Sequence, residues 1–337
     1  MTIPLSLLDG ASISTDSTVA GALARTVALA QAAERLGYRR FWVVEHHSLP
    51  SVASSAPAVL IAHLATATSR IRLGSGGVML PNHAPLVVAE QFGMLESLHP
   101  GRIDLGIGRG PGSDGLTQHA LQRGVTGAAD DFPRQLAELL AFFDGDWPAE
   151  HPYRSITAIP GEGARPEVWL LGSSDFGARL AGHLGISFAF AHHFSPANAV
   201  PAIEAYRASF RPSSTLAEPH VMLATNVVCA ETEERARWLA GPSALAVLRM
   251  TSGRAAPLPT PEEAAAHRYT PAEQAFVDGW TATHLVGDPT AVRAGLAELV
   301  RRTGADELML AGTPAVGAVR SLELVAEAWG SIAATAT

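Results

Sequence analysis

A chain of 337 residues that is 47% hydrophobic and 17% charged can bury a large core and is not the composition of a disordered protein. Its net charge of −8 leaves no basic footprint for nucleic acid and disfavours a polybasic membrane contact. One cysteine, Cys229 in the apolar run VMLATNVVCA, excludes an intramolecular disulfide framework and a cysteine-based zinc site, and reads as a small buried hydrophobe.

The opening MTIPLSLLDG lacks the basic residues and apolar length of a signal peptide, and no apolar run approaches the ~18–20 residues of a membrane helix. The expectation is a cytoplasmic protein. Strand-like and helix-like segments then alternate. Residues 4–9 form a short apolar strand. Over 17–36, Val19, Leu23, Val27, Ala30 and Leu36 recur at helical spacing, and Gly37 stops the helix. RFWVVE at 40–45 is a β-branched and aromatic strand. A helix over 56–68, a strand over 71–80, a helix over 86–98 and a strand over 102–107 follow. The pattern resumes with a helix over 132–143, a strand over 167–171 and a helix over 175–184. Next come a strand over 186–191, a helix over 196–210 and a strand over 221–230. A helix capped by Asp288 with Pro289 at its first position precedes the eighth strand, 306–310.

Eight such units in one chain predict an α/β (β/α)8 TIM barrel, with 1–337 as a single domain. Two stretches break the rhythm. Residues 144–165 are rich in Pro and Gly and read as an excursion. Residues 242–284 carry prolines 257, 259, 261 and 271 and read as an insertion between strands seven and eight, a mobile lid at the barrel mouth.

Four places carry candidate chemistry. Gly74-Ser75-Gly76-Gly77 puts small residues where a strand presents bulky ones, either for tight packing or so that a flat ring can lie on bare backbone. Gly106-Ile107-Gly108-Arg109-Gly110-Pro111-Gly112 is no dinucleotide fingerprint, because no helix opens on it; it reads as a wide loop of free amides around Arg109, which suits a phosphate. Gly172-Ser173-Ser174-Asp175 opens a helix after a strand, and serves equally as an ordinary N-cap or as an anion site. Arg134, taken alone, is a solvated surface residue.

Glu45-His46-His47 and His192-His193 end two strands at the same rim. Four histidines raise the question of a metal. Adjacent histidines point to opposite faces of a strand, so each pair offers one ligand at best, and proton transfer or substrate contact is the stronger reading.

FWVVEHH, RIRLGSGGVMLPNHAPLVVAEQF, HPGRIDLGIGRGPGSD, FPRQLAELLAFF and VWLLGSSDFGARLAGHLGISFAFAHHFSP, in this order, resemble the bacterial-luciferase-like flavin monooxygenases over most of the chain. The resemblance is to the single-barrel subgroup that includes actinomycete polyketide-tailoring oxygenases. It implies a barrel that takes FMN as FMNH2 from a separate flavin reductase, reacts it with O2 to a C4a-peroxyflavin and oxygenates a small organic substrate, a polyketide or other secondary metabolite. Residue by residue, it implies a cis peptide at Ser75–Gly76 beneath the flavin ring. Arg109, Arg134, Ser174 and the amides through Gly177 match phosphate ligands, His192 falls where the ring pocket is lined, and His46, preceded by Glu45, matches the active-site histidine. It also implies a homodimer, for which the alanine-rich helix 56–68 is suited. Gly108 stands where luciferases carry a reactive cysteine and Ser173 where they carry a glutamate, which leaves aldehyde specificity and light emission open. Two other readings compete: F420-dependent hydride transfer on the same barrel, and a non-catalytic flavin-binding protein.

Overall fold

The computed structural model describes residues 3–121 and 131–330. Nine strands run through it: β1 (Leu5–Asp9), β2 (Arg40–Val43), β3 (Arg72–Met79), β4 (Ile103–Gly108), β5 (Glu167–Gly172), β6 (Ser187–Ala191), β7 (Val221–Cys229), β8 (Leu285–Gly287) and β9 (Glu307–Ala311). All pairings are parallel. β1 to β6 follow chain order, β6 pairs with β7, β7 with β9 and β9 back with β1, which closes an eight-stranded barrel. β8 stands outside the ring and extends the far end of β7, with Val228 opposite Val286.

The helices are α1 (Val19–Arg35), α2 (Pro57–Ala67), α3 (Pro85–Leu98), α4 (Gly115–Leu121), α5 (Phe132–Asp144), α6 (Asp175–Leu184), α7 (Ala199–Ser209), α8 (Glu233–Thr251), α9 (Pro261–Ala266), α10 (Pro271–Thr281), α11 (Pro289–Thr303) and α12 (Ala318–Trp329). Their starts follow local chemistry. Thr18 accepts from the Gly21 amide, Asp288 from Ala291, and Thr260 and Thr270 form reciprocal capping boxes with Glu263 and Glu273. None of the helices among the described residues is long and apolar enough to cross a membrane.

One boundary is corrected here. The insertion does not begin at 242, because α8 runs straight through the buried Pro242. Its apolar face, Ala236 and Leu239 before the proline and Ala244, Leu245 and Leu248 after it, is continuous, and that packing outweighs the ~3 kcal/mol a proline costs a helix interior. The stretch that follows is also structured, since α9, α10 and β8 occupy most of it.

Inside the barrel the lowest layer is charged. Arg40, 1% exposed, reaches Asp104 at 2.8 Å, Glu167 at 3.0 Å and Glu307 at 3.1 Å. Its guanidinium also lies 4.8 Å from the Trp169 ring centroid. Above it Trp42 and Trp169 meet edge to face, and Met222, Ala189, Ala224 and Met309 complete the layer beneath the mouth. Trp42 explains Gly74: a Cβ there would stand 2.6 Å from the indole nitrogen, which donates to Asp104 at 2.8 Å.

Candidate active site at the barrel mouth

Above the tryptophan layer a cavity of about 340 Å³ opens at the carboxyl ends of the strands. Much of its wall is bare backbone, from Gly76, Gly108, Gly110, Gly112 and Gly172, with His46, Arg109 and His193 among the polar side chains. Gly112 needs its lack of a Cβ: its φ is +63°, and a Cβ would lie 2.7 Å from the Glu45 carbonyl oxygen. That contact ties the loop after β4 to the end of β2, because the Gly112 carbonyl also accepts the His47 amide at 3.0 Å.

His46 is fixed from two sides. Its backbone amide donates to the Ser54 carbonyl at 3.0 Å, and its Nδ1 lies 3.3 Å from the Gly112 oxygen. A carbonyl only accepts, so the ring proton sits on Nδ1 and Nε2 carries the lone pair. Burial pushes the His46 pKa below the ordinary histidine value, although the Gly112 carbonyl and Glu45 act in the opposite direction. The imidazole is therefore neutral at physiological pH.

Glu45 is fully buried and does not line the cavity. Burial opposes its ionisation. Even so, hydrogen bonds from His83 and His47, both at 2.9 Å, and from the Met79 amide at 3.0 Å hold the carboxyl below its usual range. Glu45 thus binds the loop after β3 to the end of β2 and fixes the backbone that carries His46.

The small-residue motif divides in two. Ser75 is fully buried, and its hydroxyl donates to the Gly106 carbonyl at 2.9 Å and accepts the Gly106 amide at 3.1 Å, so it is structural and does not face the cavity. The cis peptide lies one bond later than expected, at Gly76–Gly77. Only Gly76 reaches the cavity wall. Gly106 is a packing glycine, since a Cβ would stand 2.0 Å from the Ser75 carbonyl oxygen. Gly106→Ala should therefore cost about 1–3 kcal/mol or more in a denaturant titration. Gly76→Ala, whose Cβ would meet the flexible end of Leu8 at 2.5 Å, should fold and lose ligand affinity instead. A Gly106→Ala protein as stable as the parent would sink this division.

Arg109 is exposed at the rim, its guanidinium 4.7 Å from the centroid of Phe176 in the first turn of α6. Among the described residues it has no hydrogen bond or ion pair. Arg134 differs from the expectation. It faces a separate cavity beside Pro81, His83 and Tyr153, and is held by Asp131 and Glu138 one turn away on either side. Ser174 is the N-cap of α6 and makes no side-chain bond to the first turn, and Gly177 lies within that turn; neither lines the cavity, whereas Ser173 does. His192 is also displaced from the expectation: it is buried, with Nδ1 3.4 Å from the Thr225 hydroxyl, and it is His193 that lines the wall. Ala189 and Ala191 of β6 face the cavity, and in the turn that follows the strand it is His193 and Phe194 that come to the wall. The sequence reading also missed Trp42 and Phe194 in this wall.

A closed parallel barrel with an apolar, glycine-walled mouth and convergent polar groups at the strand ends defines the chain as a (β/α)8-barrel protein with its site where such enzymes carry theirs. Residues 4–307 match the luciferase-like monooxygenase family, and the chain belongs to it. It is 46% identical to the protein YvbT of Bacillus subtilis (strain 168) over 96% of each chain. It is 43% identical to the N-acetyl-S-alkylcysteine monooxygenase of the same organism over 69% of this chain and 70% of that one. The crystal structure of apo-MsnO8 matches with a TM-score of 0.89 and 36% identity, covering 98% of this chain and 99% of that one. The FMN complex of the oxygenating constituent of 3,6-diketocamphane monooxygenase (TM-score 0.71, 18% identity) shares the fold, as does an F420-dependent secondary alcohol dehydrogenase (TM-score 0.70, 14% identity).

Proposed function

We propose that the protein is an FMNH2-dependent monooxygenase that transfers one atom of O2 to an organic substrate, with the reduced flavin supplied by a separate reductase. The observation that carries this reading is the pairing of a glycine-walled cavity with a cation at its rim that has no carboxylate partner among the described residues. Bare backbone at Gly76, Gly108 and Gly112 leaves this part of the wall without side chains, which suits the face of a flat ring. Arg109 beside the uncapped first turn of α6 suits the phosphate, through charge and free amides together. Reduced FMN, when bound, supplies the electrons that activate O2. Nε2 of the neutral His46 can accept and return a proton at the cavity wall, and the apolar surround keeps water out. A homodimer through α2, whose Val59 is 72% exposed, and a role for the whole chain as one catalytic unit complete the proposal.

Arg109→Ala should weaken FMNH2 binding by about 1.5–3 kcal/mol, the worth of a charge-assisted hydrogen bond. Riboflavin, which lacks the phosphate, should bind both proteins alike. Arg134→Ala should have the smaller effect, since Asp131 and Glu138 already hold that side chain. Unchanged FMNH2 affinity in Arg109→Ala would remove the phosphate assignment. Stopped-flow mixing of the reduced-flavin protein with O2 separates oxygenation from F420-dependent hydride transfer, which consumes no O2. Flavin binding without substrate-dependent turnover would leave only a flavin carrier.

A further inference from the structure

A second cavity of about 340 Å³ adjoins the first and shares His46, His193 and Phe194 with it. The rest of its wall comes mainly from the ends of β7 and β8, from α8 and from α10, and is chiefly apolar, with Val228, Ala246, Val247 and Leu258. No Asp, Glu, Lys or Arg stands among the described residues that line it. Its size falls within the range of small-molecule pockets.

Among the described residues its polar lining carries no carboxylate, lysine or arginine, and two of its polar groups, Asn226 and His284, are paired. Asn226 Nδ2 lies 2.9 Å from His284 Nε2, and Trp280 backs the His284 ring edge-on with centroids 4.2 Å apart. An amide nitrogen only donates, so Nε2 accepts and the ring proton sits on Nδ1. Burial, followed by the nearby His193 and His192, pushes His284 down to about 4, which keeps the pair uncharged at neutral pH. The second Asn226 N–H and the His284 Nδ1–H find no acceptor among the described residues.

We propose that this chamber is the substrate side of the site, and that its substrate is an uncharged, mainly apolar molecule anchored by one oxygen acceptor, such as a carbonyl or ester oxygen, on Asn226 and His284. The assignment rests on the monooxygenase reading for what the chamber is used for. The selectivity is physical. An ionised group brought here leaves water and meets no opposite charge, whereas an oxygen acceptor meets donors that are otherwise unused. Because His46 belongs to both cavities, a molecule anchored at Asn226 extends towards the wall where the ring would lie.

The test needs no turnover. Methyl octanoate and octanoate carry the same apolar chain and differ in charge, and each is titrated calorimetrically into the purified protein at neutral pH, with reduced FMN titrated separately under anaerobic conditions. The ester should bind, and octanoate should bind at least tenfold more weakly. Asn226→Leu should weaken the ester by about tenfold, the worth of one hydrogen bond, while FMN affinity stays as in the parent. Equal affinity for the ester and the acid, no binding of the ester, or an Asn226→Leu protein that holds the ester unchanged would each overturn the inference. The FMN titration reports on the monooxygenase reading by itself. Failure of flavin to bind while the ester–acid difference stands removes the function and leaves the chamber's selectivity.

Discussion

Arg40→Leu should lower the stability of the protein by about 3–5 kcal/mol, the cost of removing one partner from a buried ion pair. The magnitude follows from what remains. Asp104 and Glu307 are both fully buried; Glu307 loses its closest cation and Asp104 one of its two. Glu307 keeps the Ser6 hydroxyl and more distant contacts with Arg39 at 3.6 Å and His220 at 3.8 Å. Asp104 keeps Arg72 and the Trp42 indole. These remaining groups cannot replace a guanidinium that bridges β2 to β4, β5 and β9 at once. Adding Asp104→Asn and Glu307→Gln to Arg40→Leu should recover part of the loss, because the penalty comes from uncompensated charge. Chemical denaturation of the three proteins decides it: a single variant within 1 kcal/mol of the parent would show that the layer is not the keystone of the barrel floor.

His46→Ala should reduce oxygenation turnover by roughly 10²–10⁴, the range for loss of a positioned general acid–base, and leave flavin affinity within a few-fold of the parent. Under the proposed function the neutral ring is the working form, with its Nδ1 proton held by Gly112 and Nε2 available. Burial sets its pKa below the ordinary histidine value, so activity should be full at neutral pH and fall only as pH drops through that lowered pKa. In His46→Ala this acid limb should vanish along with most of the rate. A variant that keeps the parent's acid limb would assign the titration to another group, and one that keeps its rate would remove His46 from the chemistry.

The barrel was legible because its signals are local and redundant. Apolar runs of strand length, helical spacing between them and capping residues such as Asp288 each point to the same element. The seventh unit was harder to read, since Pro242 looks like a breaker until the apolar positions on both sides are seen to share one face. At the site, His46, Gly76 and Arg109 end on the same wall as the resemblance implies, because strand ends in a closed barrel converge on one mouth. Arg134 departs from it for a reason written in the sequence, with Asp131 three residues before and Glu138 four after, at helical ion-pair spacing. His193 rather than His192 reaches the wall because β6 ends at Ala191 and the chain turns there, so strand alternation no longer applies. Asn226 and His284 carry no such signal: they are far apart in the chain and meet only because β8 adds to the outer end of β7.

That addition has a consequence for how such a protein diversifies. The wall that would face the ring is drawn largely from β2 to β6 and the loops directly after them, whereas much of the second chamber comes from one continuous excursion, α8 through β8. The excursion leaves the ring after β7 and returns before β9, so its length and side chains can drift without disturbing the closure of the barrel. Under the proposed function, a lineage built this way could exchange what it acts upon by rewriting a single segment, while the glycine-walled half of the mouth stays intact.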